Sequence, residues 1–281
     1  MVLHRADGRV NFVGETKTLS MKKISRLYLL LFAGAVIAPS CKKRRLPHPL
    51  SSCNITRVAI VERGSTDTLI YNVNYNQLGL VTSVQTGTGA NLVLQSNSYA
   101  DTNEVVTYSI GGSISATNSV TLGSNGLMLD DIRRLPGSSD VQATTFFYSG
   151  TEVVGANILF DNVPPPDIND YTWSAGNLTN FVPEANISTT SAYFYTYNSD
   201  AAAMGDYHFI TQLLTGPAPT IRTVNQVASV QQMFNLQTIT YSHLADGRIS
   251  GFTVISTSLN GGSPPDTVDY TYQYACGLPG W

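Results

Sequence analysis

Residues Tyr241-Ser242-His243-Leu244-Ala245-Asp246-Gly247-Arg248-Ile249-Ser250-Gly251-Phe252 decide the fold. A polar turn ending on Gly247 joins two stretches that lean apolar at every second position. Asp-Gly is a strong hairpin signal, because glycine adopts positive φ without strain and aspartate nearly so. Alternation with a period of two is the mark of a strand and sets Ile239 and Tyr241 on one strand face.

The unit recurs three more times in weaker form: Tyr75 to Val84 around Gly79, Leu122 to Met128 around Asn125-Gly126, and Trp173 to Phe181 around Gly176. An apolar residue stands two places after each glycine: Val81, Met128, Leu178 and Ile249. A second stands five places after it in three copies, as Val84, Phe181 and Phe252; the remaining copy carries Asp131. Alternation is also plain in Tyr71-Val73-Tyr75, Tyr193-Tyr195-Tyr197 and Tyr270-Tyr272-Tyr274. The expectation is an all-β chain: an antiparallel meander of hairpins forming a curled sheet or open barrel. One short helix is expected near 200–215, from the helical spacing of Met204, Tyr207, Ile210 and Leu214. Ser199 or Asp200 would cap it, and Gly216-Pro217 would end it. Val224 to Phe234 fits helix and strand equally well.

The 281 residues are 12% charged, about half the usual share, with Tyr, Gly, Ser, Thr and Asn in place of Lys and Glu. Residues 21–40 read as a signal peptide. Lys22, Lys23 and Arg26 form a basic start, and Leu27 to Ala38 is an uncharged apolar run too short to span a bilayer as a helix. Residues 1–20 contain Asp7 and Glu15 and extend this segment poorly, so translation is expected to begin at Met21. Ala38-Pro39-Ser40-Cys41 resembles a lipobox, with Ala38 where Leu is usual. The resemblance implies a lipid on Cys41 and attachment to the bacterial outer membrane, facing the periplasm rather than the cell surface. Residues 41–52 form a basic tether through Lys42, Lys43, Arg44 and Arg45. From Ser51 onward six Arg, no Lys and 17 acidic residues give −11, which argues against nucleic-acid binding.

Once Cys41 is assigned to lipid, Cys53 and Cys276 remain, at the two ends of a single domain spanning 53–281. In an oxidising compartment they are a disulfide pair or two buried thiols. No catalytic set emerges. His4, His48, His208 and His243 have no metal-ligand spacing, and neither a nucleophile elbow nor a phosphate loop is present. Asp161, Asp167 and Asp170 are weak oxygen-ligand candidates beside the Pro164-Pro165-Pro166 run, and no metal or other cofactor is assigned. Tyr171 and Trp173 are weak candidates for a sugar-stacking platform, set against plain cross-strand packing. Asp67-Thr68-Leu69 and Asp266-Thr267-Val268 resemble a bacterial O-glycosylation tripeptide.

The hairpin unit resembles the tyrosine–aspartate repeat of Rhs-type proteins. The whole from Ser51 is similar to uncharacterised Gram-negative lipoproteins with a Cys-led first strand, Tyr-rich Asp-Gly hairpins and a closing Tyr-x-Tyr-x-Tyr-x-Cys strand. Here Cys53-Asn54-Ile55-Thr56-Arg57 and Tyr270 to Cys276 carry the likeness. It implies architecture and location, with no activity. The functional expectation is a non-catalytic binding or structural module of the envelope, whose partner is a glycan or another envelope protein. The alternatives are a periplasmic carrier of an apolar ligand and a glycan-acting protein. Metabolic labelling with a fatty-acid analogue in the native host is expected to mark the protein and to lose the mark in Cys41→Ala; a label that persists removes the anchor.

Overall fold

The computed structural model describes residues 53–276, apart from 162, 186–191, 218, 220, 262 and 263. The signal segment, Cys41 and the basic tether lie outside the described residues. The first half holds β1 (Cys53–Glu62), β2 (Thr68–Tyr75), β3 (Val81–Thr86), β4 (Val93–Ala100), β5 (Asn103–Ile110), β6 (Ser113–Leu122), β7 (Met128–Arg134) and β8 (Val141–Ser149). The second holds β9 (Glu152–Phe160), β10 (Val163–Ser174), β11 (Asn177–Val182), β12 (Tyr193–Ala201), β13 (Asn225–Gln232), β14 (Asn235–His243), β15 (Ile249–Ser258) and β16 (Asp266–Cys276). Each strand pairs with the next, and β16 returns to β1, so the curled sheet of the expectation closes fully into a barrel.

Odd strands run away from the rim that holds Cys53 and even strands return to it. Cys53 lies opposite Cys276 in the β1–β16 register, and the two are joined by a disulfide. This end is the clasp rim; the other is the mouth. In the chain-entropy model, closing a loop of sequence separation 223 contributes up to about 5 kcal/mol.

The four sequence repeats fall at the β2–β3, β6–β7, β10–β11 and β14–β15 turns, all on the clasp rim and each four strands from the next. Their glycines Gly79, Gly126, Gly176 and Gly247 have φ of 72°, 77°, 76° and 86°, the left-handed region that the tight turn requires. The barrel therefore repeats a four-strand unit four times. The third and fourth turns are further apart in sequence because residues 202–224, between β12 and β13, hold an insertion.

That insertion contains α1 (Tyr207–Thr215). Asp206 caps it, its Oδ1 accepting from Phe209 N at 2.8 Å. Ser199 and Asp200, the expected caps, belong instead to β12, which continues to Ala201 and moves the cap six residues on from Asp200 to Asp206. Met204 lies before the helix and is exposed. Val224 to Phe234 resolves to strand, as β13 and its turn.

The helix carries no charged residue and none of its side chains is exposed, which places it against protein on all sides. Its surroundings are the barrel's inner face. Tyr207 Oη donates to Gln237 Oε1 at 3.3 Å, and Tyr195, Tyr197 and Phe252 pack around Tyr207 and His208. A Cβ on Gly205, before the helix, would lie 3.1 Å from Tyr274 Oη and 3.4 Å from Ile55 Cδ1. A Cβ on Gly216, after it, would collide with the Tyr108 hydroxyl on β5. The helix thus reaches from the β16–β1 side of the lumen at the clasp end to the mouth half of β5. A 16-stranded porin-type barrel leaves an aqueous channel, whereas here α1 lies across the lumen from near Tyr274 and Ile55 to Tyr108.

Gly216 has φ 94°, so Gly216→Ala adds backbone strain to a steric clash, while Gly247→Ala (φ 86°, open space around the Cβ) adds strain alone. Thermal or urea unfolding should show Gly216→Ala losing at least about 2 kcal/mol, and more than Gly247→Ala. Equal losses would take Tyr108 off the helix end.

Candidate functional site

Strand pleat makes the inner face of the barrel the more apolar of the two. Inward lie Val58, Tyr71, Val73, Val106, Val120, Phe146, Leu178, Phe181, Tyr193, Ile239, Phe252 and Val268, all buried. Outward lie Asn72, Asn74, Ser96, Thr107, Thr117, Ser119, Thr145, Thr172, Thr196, Ser229, Thr238, Thr240, Thr253, Asp269 and Thr271, interspersed with Ile70, Val105, Ile132, Phe147, Leu159, Phe194, Leu236 and Ile255. A bilayer-spanning barrel carries an apolar outer band about 25 Å tall.

The clasp end is sealed by aromatic side chains that reach back to the preceding strand. Tyr75, Tyr99, Tyr148, Tyr197 and Tyr274 hydroxyls donate to the carbonyls of Ile55, Val81, Met128, Leu178 and Ile249 at 2.6–2.8 Å. Trp173 Nε1 donates to Val153 O at 2.7 Å. These clamps serve six of the eight odd–even hairpins. In β13–β14, Tyr241 Oη turns instead to the helix and accepts from Tyr207 N at 3.2 Å. In β5–β6 no aromatic stands near the end of β6, which finishes on Leu122. Beneath the clamps His208 is buried and desolvation pulls its pKa down to about 3, so it is a neutral packing residue against Tyr195 and Tyr197. Desolvation pushes the capping Asp206 up to about 6.

The mouth is different. Val93, Ile110, Phe160 and Val163 continue the inner face by register yet are 39%, 50%, 53% and 61% exposed. They stand at the mouth rim on the β4–β10 side. Directly below, the inner row Gln95, Tyr108, Ala116 is packed, with the Tyr108 hydroxyl against Gly216 at the helix end. The row beneath reads Asn97, Val106, Asn118, Arg133, Gln142; the next, deeper, reads Tyr99, Glu104, Val120, Asp131, Thr144. Polar side chains thus interrupt an otherwise apolar and aromatic wall, in the repeat that lacks its clamp.

Glu104 is 1% exposed and Asn118 5% exposed. Asn97 Nδ2 donates to Glu104 Oε1 at 2.9 Å, and Gln95 Nε2 donates to Asn97 Oδ1 at 3.1 Å. Asn118 Nδ2 donates to both carboxylate oxygens of Asp131, at 3.0 and 2.8 Å. Asn118 Oδ1 has no hydrogen-bond partner among the described residues, whereas the Glu104 carboxylate is hydrogen-bonded by Tyr99 as well as Asn97. Burial raises the Glu104 pKa and pushes Asp131 up to about 6, opposed in the latter by Asn118 and Arg133. An apolar core would be cheaper than this arrangement, since a buried polar group lacking a partner costs about 1–3 kcal/mol.

The oxygen-ligand candidates do not converge. Asp161 Oδ1 accepts from Val141 N in the β9–β10 turn, Asp167 faces inward opposite Ile158, and Asp170 faces outward opposite Gly155. Among the described residues no three His, Cys, Asp or Glu side chains could hold a metal ion together. Tyr171 and Trp173 both face inward; Tyr171 stacks on Phe181 at 4.8 Å and Trp173 is spent on its clamp. Sequence reasoning missed Glu104, Asn97 and Asn118. The available signal was Asp131, the acid in a repeat position that is apolar in the other three copies.

Asp131 and Asp206 have folded-state pKa values raised from 3.8 to about 6, so between these values the folded protein holds more protons than the unfolded chain. Stability therefore falls as pH rises from about 4 to about 6, and the penalty is complete above that. For Asp131 it amounts to about 3 kcal/mol. Melting curves are expected to show greater stability at pH 5 than at pH 7.5, with part of this dependence abolished in Asp131→Asn. A flat profile for the parent would refute the burial of these acids.

No family model matches the chain, and no curated protein matches it. Solved structures do. A crystal structure of a porin-like protein from Bacteroides uniformis ATCC 8492 superposes with a TM-score of 0.58 at 14% identity, covering 78% of this chain and 96% of that one. A porin-like protein from Bacteroides vulgatus ATCC 8482 covers 78% of this chain and 98% of its own, at 13% identity and a TM-score of 0.47. The first likeness shows the fold: the chain is a closed antiparallel β-barrel of the kind found in a porin-like protein.

Proposed function

We propose that this chain is a non-catalytic, lipid-anchored envelope protein whose barrel stands in water beside its membrane and takes a ligand through its mouth. The observation that carries this reading is the wall's apolar and aromatic inner face behind an outer face on which hydroxyl and amide side chains are interspersed with apolar ones such as Val105, Phe147, Phe194 and Ile255. Such a mixed face differs from the apolar outer band of a lipid-facing barrel. Cys41 lies 12 residues before Cys53, and Cys53 is on the clasp rim. A tether of this length reaches at most about 40 Å. Anchored there, the barrel stands on its stoppered end with the mouth turned away from the membrane.

Carriage is favoured over a purely structural role by the mouth. Val93, Ile110, Phe160 and Val163 present apolar side chains to solvent at the mouth rim, where an apolar ligand would first make contact. Apolar lining with a few polar groups is the usual form of a small-molecule site.

Two measurements test this. Cys41→Ala protein is expected to remain monodisperse without detergent and to unfold cooperatively, where a barrel with a lipid-facing belt would aggregate. N-phenyl-1-naphthylamine is expected to fluoresce on entering the mouth of the same protein, with the affinity reduced at least about five-fold in Phe160→Asp, since a buried charge is expelled by an apolar probe. No fluorescence enhancement would end the carrier reading and leave the structural one.

A further inference from the structure

We propose that Thr68 and Thr267 are acceptors for O-linked sugar at the mouth rim, each recognised by an envelope glycosyltransferase through its Asp-Thr-aliphatic tripeptide. This rests on export of the chain and is independent of the carrier reading.

Threonine follows aspartate at Thr68, Thr102 and Thr267. The first and last are completed by an aliphatic residue, Leu69 and Val268, whereas Thr102 is followed by Asn103. The fold sorts them the same way. Thr102 falls in the β4–β5 turn on the clasp rim, while Thr68 opens β2 and Thr267 is the second residue of β16, both at the mouth. They come from opposite ends of the barrel sequence and meet because β2 and β16 flank β1. Thr68 lies opposite Val61 of β1, whose other partner, Asp269, is two residues along β16 from Thr267. The two threonines are therefore two strand spacings apart, roughly 10 Å, with an offset of two residues, roughly 7 Å.

The pleat gives both tripeptides one posture. Leu69 faces the lumen opposite Ile60, and Val268 faces it opposite Val254. Thr68 and Thr267 are thereby turned outward. Thr68 is exposed, among the exposed polar residues Glu62, Arg63, Thr66 and Asp67; Thr267 is half-buried beside Ile255. The aliphatic residue holds the tripeptide to the wall and the hydroxyl before it meets water, the setting a bulky sugar needs. Aspartate is ordinary in a turn and threonine in a strand, which accounts for either tripeptide alone. It does not account for the two complete copies meeting on one patch while the incomplete copy lies on the other rim. Sugars on the β16–β2 side would leave Val93, Ile110, Phe160 and Val163 uncovered across the mouth.

In the transfer, threonine Oγ1 attacks the anomeric carbon of a phosphate-activated sugar. The new carbon–oxygen bond forms as the bond from that carbon to the phosphate oxygen breaks. The phosphate leaves with the electron pair, and the hydroxyl proton passes to a base of the transferase. No oxidant or reductant takes part.

Intact-mass and peptide analysis of the full-length protein purified from its native host tests this. The peptides holding Thr68 and Thr267 are expected to carry added mass in whole sugar units, with Thr68 the more fully occupied because it is the more exposed. Thr68→Ala and Thr267→Ala should each lose one attachment, and the double variant both. Thr68→Ser should keep its sugar, and Asp67→Asn, which leaves the hydroxyl in place, should lose it. These side chains lie at the rim or on the outer face, so circular dichroism of the variants should match the parent. Sugar-free peptides at both sites in protein trimmed of residues 21–40, or a sugar mass undiminished in the double variant, overturn the proposal and leave the membrane anchor standing. A sugar retained in Asp67→Asn overturns the tripeptide as the recognised unit. Protein that still carries residues 21–40 shows that export fails, and removes the anchor and the sugars together.

Discussion

The seam between β1 and β16 joins the two ends of the folded chain. Without it the barrel would be a curled ribbon with two unpaired edges, each a template for aggregation. With it, nearly all strand backbone is paired within the molecule, and the remaining questions concern what fills the middle. Nine register pairs run along the seam, from Cys53–Cys276 to Glu62–Val268, so the disulfide reinforces a contact that strand pairing already makes. Closure also creates an inside. Tyr270, Tyr272 and Tyr274 become lumen residues because β16 has a neighbour on each side, and the helix has something to sit in.

Closing sixteen strands encloses more space than side chains of ordinary size fill. The chain answers this in two ways. Aromatic stacks such as Tyr171–Phe181–Tyr193 and Phe252–Tyr270 take up volume along the wall. The insertion after β12 sends α1 across the lumen, held by Tyr241, a clamp residue reassigned from its own hairpin, and ending against Tyr108 on β5. At the mouth rim the inner face comes to the surface at Ile110 and Phe160.

Much of the architecture was legible from local chemistry. Alternating tyrosines gave strands, Asp246-Gly247 and Asn125-Gly126 gave turns, and Gly216 ended the helix, because each depends on residues a few places apart. The equivalence of the four turns, four strands apart, was hidden by the insertion that lengthens the last interval. Asp206 was passed over as a cap because the length of β12 is set by pairing with β13, a partner more than twenty residues on. Glu104 and Asn118 carry no local mark at all: on a strand facing water they would be unremarked, and only the register that turns them inward makes them costly. Asp131 showed in the sequence as a blemish in a repeat, and its meaning depended on those two neighbours.

An even number of strands in a simple meander brings both ends of the barrel segment to one rim, and the repeat makes four of the clasp-rim turns near copies of one another. The order in which the strands are strung is therefore almost incidental to the ring they form. Linking residue 276 to residue 53 and opening the chain at the Gly79 or Gly126 turn would leave each strand with its present neighbours. The protein is in this sense a necklace whose fastening could be moved, and the Cys53–Cys276 bridge marks where the thread happens to begin and end.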